Sequence, residues 1–258
     1  MRLDKYIAES SSDTRKVIRN YIKEGNVTVN DRLILDPAAE INENCDTIKC
    51  LGKVMKHPGK MYYMFHKPGG CITATKDESS LTVLDYFNVS NGSGLFPVGR
   101  LDKDTEGLLL VTNDGEFCHR LMDPSKKVEK TYYFWAFGSL DQKKKEQLQE
   151  GVMIGVNEEL AKAESIIVDE EGKYLDLKNK MNFESVKGIK INPNYQPVTS
   201  GYITITEGRK HQVKRMLKSV GCYIVYLKRI SIGSLVLDET LKKGEYRELT
   251  TEELKSLY

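Results

Sequence analysis

The chain has 258 residues, 40% hydrophobic and 29% charged, enough to bury a core in one large domain or in a small domain plus a larger one. Its 39 Lys and Arg against 37 Asp and Glu leave a formal charge of +2, which excludes an overall polycation or polyanion and places any charge-driven binding in local clusters. Five cysteines without CxxC spacing and four scattered histidines point to neither a disulfide framework nor a zinc site, and the absence of an apolar leader or membrane-length run predicts a cytoplasmic protein.

Arg2 to Ala8 places Leu3, Tyr6 and Ile7 at helical spacing. After Ser10-Ser11-Ser12-Asp13 a second helix runs to Glu24, with Val17, Ile18, Tyr21 and Ile22 as its apolar stripe and Gly25 placed to end it. Its other face carries Arg15, Lys16, Arg19 and Lys23; helical cations are usually just solvated, yet four on one face can also neutralise phosphates. Val27–Val29 and Leu33–Leu35 read as a hairpin turned through Asn30-Asp31-Arg32. Residues 1–56 thus form a small module, and His57-Pro58-Gly59-Lys60 is a short linker.

Met61 to Phe65 is an apolar strand running into Lys67-Pro68-Gly69-Gly70, Leu81 to Phe87 is weakly helical, and Asn91 to Gly94 is a loop. Polar groups then become densest: Arg100, Asp102, Lys103, Asp104 and Glu106 stand just ahead of Leu108–Val111, a short buried strand bounded by Gly107 and the Asn113-Asp114-Gly115 turn. Some of these charges must pair, and Asp102 is the candidate for chemistry. The same tetrapeptide, Arg-Leu-Asp-Lys, opens the first helix around Asp4, so four letters decide nothing and the longer frame carries the reading.

A helix follows from Glu116 to Met122, then the aromatic strand Lys130–Phe137, in which Tyr132 and Tyr133 must face opposite ways. Leu140 to Gly151 reads as an exposed helix, and Val152 to Lys190 as polar strands and turns. Tyr202–Thr206 is a strand that delivers Glu207-Gly208-Arg209-Lys210-His211-Gln212-Val213-Lys214-Arg215-Met216, a turn into a basic helix. From Gly201 to Ile230 seven cations face one anion, whereas Asp141 to Ser200 holds nine lysines and eleven acids, a segregation that suits a polyanionic partner. Leu235 to Tyr258 supplies strands, the Lys242–Glu245 turn and a short helix from Thr250 or Thr251.

Gly99-Arg-Leu-Asp-Lys-Asp-Thr-Glu-Gly-Leu-Leu-Leu-Val-Thr-Asn-Asp-Gly115 resembles the aspartate motif of the RsuA-type pseudouridine synthases, which isomerise uridine in ribosomal RNA. The N-terminal pattern Arg-Leu-Asp-Lys-Tyr-Ile, Arg15-Lys16 and Gly25-Asn-Val-Thr-Val-Asn resembles the S4 RNA-binding module, and Glu207 to Met216 with the trailing Leu227-Lys-Arg-Ile-Ser-Ile-Gly233 resembles the family's third motif. The resemblance covers nearly the whole chain. It implies an α+β protein: a small S4-like α/β module over residues 1–56, then over 61–258 a synthase domain built on a mixed, mainly antiparallel sheet with flanking helices. It implies Asp102 as catalytic carboxylate, Tyr132 as the ring in the active site, Lys-Pro-x-Gly as a structural motif, and Lys214 as the basic partner of Asp102, where many relatives carry arginine.

The reaction breaks the N1–C1′ bond of uridine, turns the base and rejoins it through C5; it needs no redox change, so no cofactor or metal is expected. A carboxylate can attack C1′, stabilise cationic character there or remove the C2′ proton, roles that parallel glycoside hydrolysis. Arg100 is suited to fill the space left by an extruded base or to hold a phosphate. Arg15, Lys16, Arg19 and Lys23, with Arg209, Lys210, His211, Gln212 and Arg215, are the expected RNA contacts of a monomer acting on ribosomal RNA or a pre-ribosomal small subunit. The competing readings are a non-catalytic assembly factor that binds ribosomal RNA, a synthase for large-subunit RNA, and a glycosidase using Asp104 or Glu106 as its acid.

Overall fold

In a computed structural model of the chain, residues 1–11, 13–43, 45–56, 59–88, 94–181 and 193–257 are described. His57 and Pro58 of the expected linker, Asn91 to Ser93 of the expected loop, and residues 182–190 lie outside them.

The N-terminal part packs α1 (Leu3–Glu9) and α2 (Arg15–Lys23) on a four-stranded sheet of β1 (Val27–Val29), β2 (Arg32–Leu33), β3 (Ile48–Cys50) and β4 (Lys53–Val54), in the order β2-β1-β3-β4. Thr14 caps α2 by accepting from the Val17 amide. Leu3, Ile7, Ile18, Ile22, Val27 and Ile48 are fully buried in one cluster of their own. Strand β2 is shorter than the expected Leu33–Leu35 run because Leu33 and Leu35 are both exposed, leaving no buried face to extend the pairing. Asn30 and Asp31 both take positive φ, the backbone twist that a two-residue hairpin turn requires.

The rest is built on a nine-stranded sheet: β5 (Tyr62–Lys67), β6 (Phe96–Val98), β7 (Glu106–Thr112), β8 (Lys130–Phe137), β9 (Ser165–Lys173), β10 (Pro197–Ile205), β11 (Tyr223–Ile232), β12 (Leu235–Val236) and β13 (Tyr246–Glu248). The main order is β13-β5-β7-β11-β8-β10-β9, with β6 on β7 and β12 on β11. β7 and β11 pair in parallel, and the other adjacent strands antiparallel. Helices α3 (Gly115–Met122), α4 (Gln142–Glu150), α5 (Tyr174–Leu177), α6 (Gln212–Ser219) and α7 (Thr251–Ser256) flank it. Leu81–Phe87 forms only a single 3₁₀ turn, Val83–Tyr86, closed by Asp85 accepting from the Thr82 amide at 2.7 Å.

Strand β7 is apolar from Leu108 to Val111 because both faces of the sheet are covered there. Leu109 and Val111 join Tyr132, Phe134 and the α6 residues Val213, Met216 and Leu217 on one face, while Leu108 and Leu110 join Phe117 and Leu121 of α3 on the other. Gly107 lets β7 and β11 meet: its φ is +104°, and a Cβ there would stand 2.2 Å from the Arg229 carbonyl oxygen. This contact brings the loop before β7 alongside the strand that follows α6.

Candidate active site

The loop of residues 101–105 is fastened from below by polar groups of the segment after β5. Thr73 Oγ1 donates to the Leu101 carbonyl at 2.7 Å and accepts from the Leu101 amide at 3.1 Å. The Gly70 amide donates to the Lys103 carbonyl at 2.7 Å, and the turn closes through the Thr105 amide to the Asp102 carbonyl at 3.1 Å. Lys67, fully buried, sends its ammonium to the carbonyls of Pro68, Lys103 and Thr105 at 3.0, 3.2 and 2.9 Å. Burial pushes its pKa down, and the nearby carboxylates work against that shift. Two backbone carbonyls of the loop are therefore fixed to one side chain, which gives the lysine of the Lys-Pro-x-Gly motif a structural task.

Asp102 projects from this turn into a cleft shared with Arg100, Thr105, Tyr132, His211 and Lys214. Its Oδ2 lies 3.1 Å from Lys214 Nζ, and its Oδ1 lies 3.6 Å from His211 Nε2. The side chains of Asp102 and Lys214 keep about a quarter of their surface exposed, at 24% and 25%. Lys214 is also 2.5 Å from Asp104 Oδ1. The Asp104 side chain is largely exposed; partial desolvation raises its pKa, and the Lys214 ammonium outweighs this and holds the carboxyl below the usual carboxylate range.

Tyr132 is buried and lines the cleft. Tyr133 faces the other way, against Tyr202 and Tyr226 with ring centroids 5.2 and 6.4 Å distant, as alternation along the strand requires. Behind Tyr132 lies a residue that sequence reasoning had left without a task. Arg229 is buried, donates from Nε to the Leu108 carbonyl at 2.8 Å, and sets its guanidinium carbon 6.0 Å from the Tyr132 ring centroid. Glu106, proposed as a possible acid, accepts from Tyr226 at 2.9 Å and from Lys243 at 2.9 Å.

The expected RNA contacts divide. Arg100, Lys210 and His211 stand on the exposed rim. Gln212, by contrast, is only 3% exposed; its amide accepts from the Arg209 backbone at 2.8 Å and donates to Glu207 at 2.9 Å, locking the turn before α6. Arg209 pairs with Glu207 at 2.8 Å and bonds the Glu159 carbonyl. Arg215 donates to Ile154 and Lys210 carbonyls at 2.6 and 3.1 Å and to Glu158 at 2.5 Å. These guanidiniums bind the 154–159 segment to α6, which a pattern of positive charge does not disclose. On α2, Arg15 and Arg19 reach Asp4 of α1 at 3.2 and 2.8 Å, joined by Arg2 at 3.1 Å, while Lys16 and Lys23 are exposed.

A fastened loop carboxylate, a lysine from a distant helix and a buried tyrosine thus meet in one cleft of a mixed sheet that a helical module precedes. Residues 61–219 match the family model of RNA pseudouridylate synthase, and residues 1–44 match that of the S4 domain. The chain belongs to the RNA pseudouridylate synthase family and carries an S4 domain. It is 34% identical over 261 residues to ribosomal small subunit pseudouridine synthase A of Vibrio cholerae, with both chains covered completely. It is 38% identical over 258 residues to an uncharacterized RNA pseudouridine synthase of Bacillus subtilis strain 168, covering all of this chain and 98% of that one. Among solved structures it resembles a crystal structure of a pseudouridylate synthase with 31% identity, full coverage of both chains and a TM-score of 0.62. Among the described residues no helix is long and apolar enough to cross a membrane.

Proposed function

We propose that the chain isomerises a uridine of small-subunit ribosomal RNA to pseudouridine, with Asp102 as the reacting carboxylate. The observation that carries this reading is the pairing of Asp102 with Lys214 at 3.1 Å beside Tyr132, in a chain of this family. The bond between N1 and C1′ breaks, the bond between C5 and C1′ forms, the C5 proton leaves to solvent, and N1 takes up a proton from solvent. Asp102 acts at C1′ as nucleophile or at C2′ as base, and Lys214 supplies its countercharge. Tyr132 offers its ring to the base, and Arg100 at the cleft mouth fills the vacated stack or holds a phosphate. The small-subunit assignment follows relatives that carry that name over their full length.

Residues 1–56 are proposed to dock RNA and 61–258 to carry out the chemistry, with 57–60 as linker, in a cytoplasmic monomer. Docking falls to Lys16 and Lys23 with Arg15 and Arg19 on α2, and to Lys210 and His211 beside the cleft; Arg209, Gln212 and Arg215 shape the rim those contacts need. A glycosidase reading requires a protonated second carboxyl, and both Asp104 and Glu106 are ion-paired to lysines instead.

The test is release of tritium from C5-labelled uridine in unmodified small-subunit RNA, with the site mapped by carbodiimide treatment and primer extension. Asp102→Asn is expected to abolish release while RNA affinity stays within about threefold, because the change removes charge and almost no volume. Retained turnover in that variant would refute the assignment.

A further inference from the structure

Lys214 is shared between two carboxylates of one turn. Its ammonium carries three hydrogens and lies 3.1 Å from Asp102 and 2.5 Å from Asp104. The two acids differ in setting: the Asp102 side chain is 24% exposed inside the cleft, and that of Asp104 is 75% exposed at its lip. Both ride on a turn that Lys67, Gly70 and Thr73 hold fast, so the ammonium is positioned against a rigid pair of acceptors.

A lysine head is a compact, strongly hydrated charge on a flexible stem. One carboxylate gives it a single contact and leaves it free to turn toward water or an RNA phosphate. An arginine differs, since its planar fork can engage one carboxylate through two parallel bonds and needs no second acceptor to fix its direction. We propose that Asp104 is a positioning residue of the reaction: it pins the Lys214 ammonium from the solvent side so that its charge stays on Asp102 when RNA enters the cleft. The inference rests on the reading of Asp102 as the reacting carboxylate.

Two consequences separate this role from a merely structural one. Asp104 is an exposed anion at the mouth of an RNA cleft, so its removal relieves repulsion of phosphates while it loosens Lys214. Turnover and apparent affinity then move in opposite directions. The need for Asp104 also depends on which cation occupies position 214, since the arginine fork replaces the second acceptor.

The experiment measures tritium release from C5-labelled uridine in unmodified small-subunit RNA for Asp104→Asn, alone and in the Lys214→Arg background, with thermal unfolding of each variant in parallel. Asp104→Asn is isosteric and surface-facing, so the fold survives it. Alone it lowers kcat about tenfold and lowers KM; in the Lys214→Arg background the same change lowers kcat less than about twofold. Equal losses in both backgrounds, no loss in either, or a loss in kcat that tracks a lower melting temperature would overturn the positioning role and leave the pseudouridine reading intact. An active Asp102→Asn enzyme, assayed alongside, would overturn both.

Discussion

Asp4 and Asp102 occupy the same tetrapeptide, and their surroundings give them different work. Asp4 is wholly buried at the start of α1 among the guanidiniums of Arg2, Arg15 and Arg19. Burial alone raises its pKa; the three arginines reverse this and hold it well below the usual carboxylate range. A carboxyl depressed on folding adds stability that is complete above its unfolded pKa of about 3.9 and is lost as pH falls through that value toward the folded one. Asp4→Asn is therefore expected to destabilise by roughly 2 kcal/mol at pH 7, less than a fully buried pair because the arginines are half exposed. In urea unfolding the gap from wild type should narrow below about pH 4; a gap independent of pH would remove the ionic explanation. Turnover at saturating RNA should survive this change, unlike that of Asp102→Asn. At Tyr132, Phe is expected to keep RNA affinity, whereas Ala loses a stacking platform worth about 1–3 kcal/mol per base. Tyr133→Ala, on the opposite face, should be the milder change for single-turnover rate at equal stability; the reverse order would place the wrong ring in the cleft.

The elements show how far residue patterns carry. Alternation along β8 placed Tyr132 and Tyr133 on opposite faces, and the apolar run of β7 marked a strand covered on both sides; both follow from a two-residue period that side-chain type reveals. Other features depend on partners distant in sequence. Lysine is almost never fully buried unless paired, so nothing in Lys67 itself discloses that it reaches the Pro68 carbonyl and two carbonyls of the 101–105 loop. The basic strip around α6 likewise read as uniform charge, yet Arg209 and Arg215 meet Glu207 and Glu158 and Gln212 is turned inward. On α2 the same sorting yields a measurable split. Among the described residues Lys16 and Lys23 make no ion pair or side-chain hydrogen bond and are exposed, so their joint replacement by Gln should reduce the slope of log affinity against log salt by up to about 2, at roughly 0.7–0.9 per lost phosphate contact. Stability should be unaltered, and single-turnover rate at saturating RNA nearly so. An unchanged slope would mean that this face is only solvated.

At the scale of the whole molecule, one N-terminal hydrophobic cluster and three on the main sheet, with no shared members, divide the chain. The N-terminal cluster draws on residues 3 to 50, and the main sheet's clusters draw on residues from 63 onward. If RNA docking and chemistry are divided as proposed, a split of this kind lets them be altered separately, and affinity and single-turnover rate are the two readouts that distinguish them. The parallel pairing of β7 with β11 sets a different constraint, on when the cleft can exist. It matches Glu106 with Lys228 and Gly107 with Arg229, contacts about 120 residues apart along the chain. Closing a loop of that length costs on the order of 4 kcal/mol in chain entropy before any contact repays it, and non-local strand pairing is a slow step of folding. During synthesis from the N-terminus, every residue of the N-terminal cluster is made before Lys214 and β11 emerge. Under the proposed division of labour, a nascent chain would be able to hold RNA before it has the means to modify it.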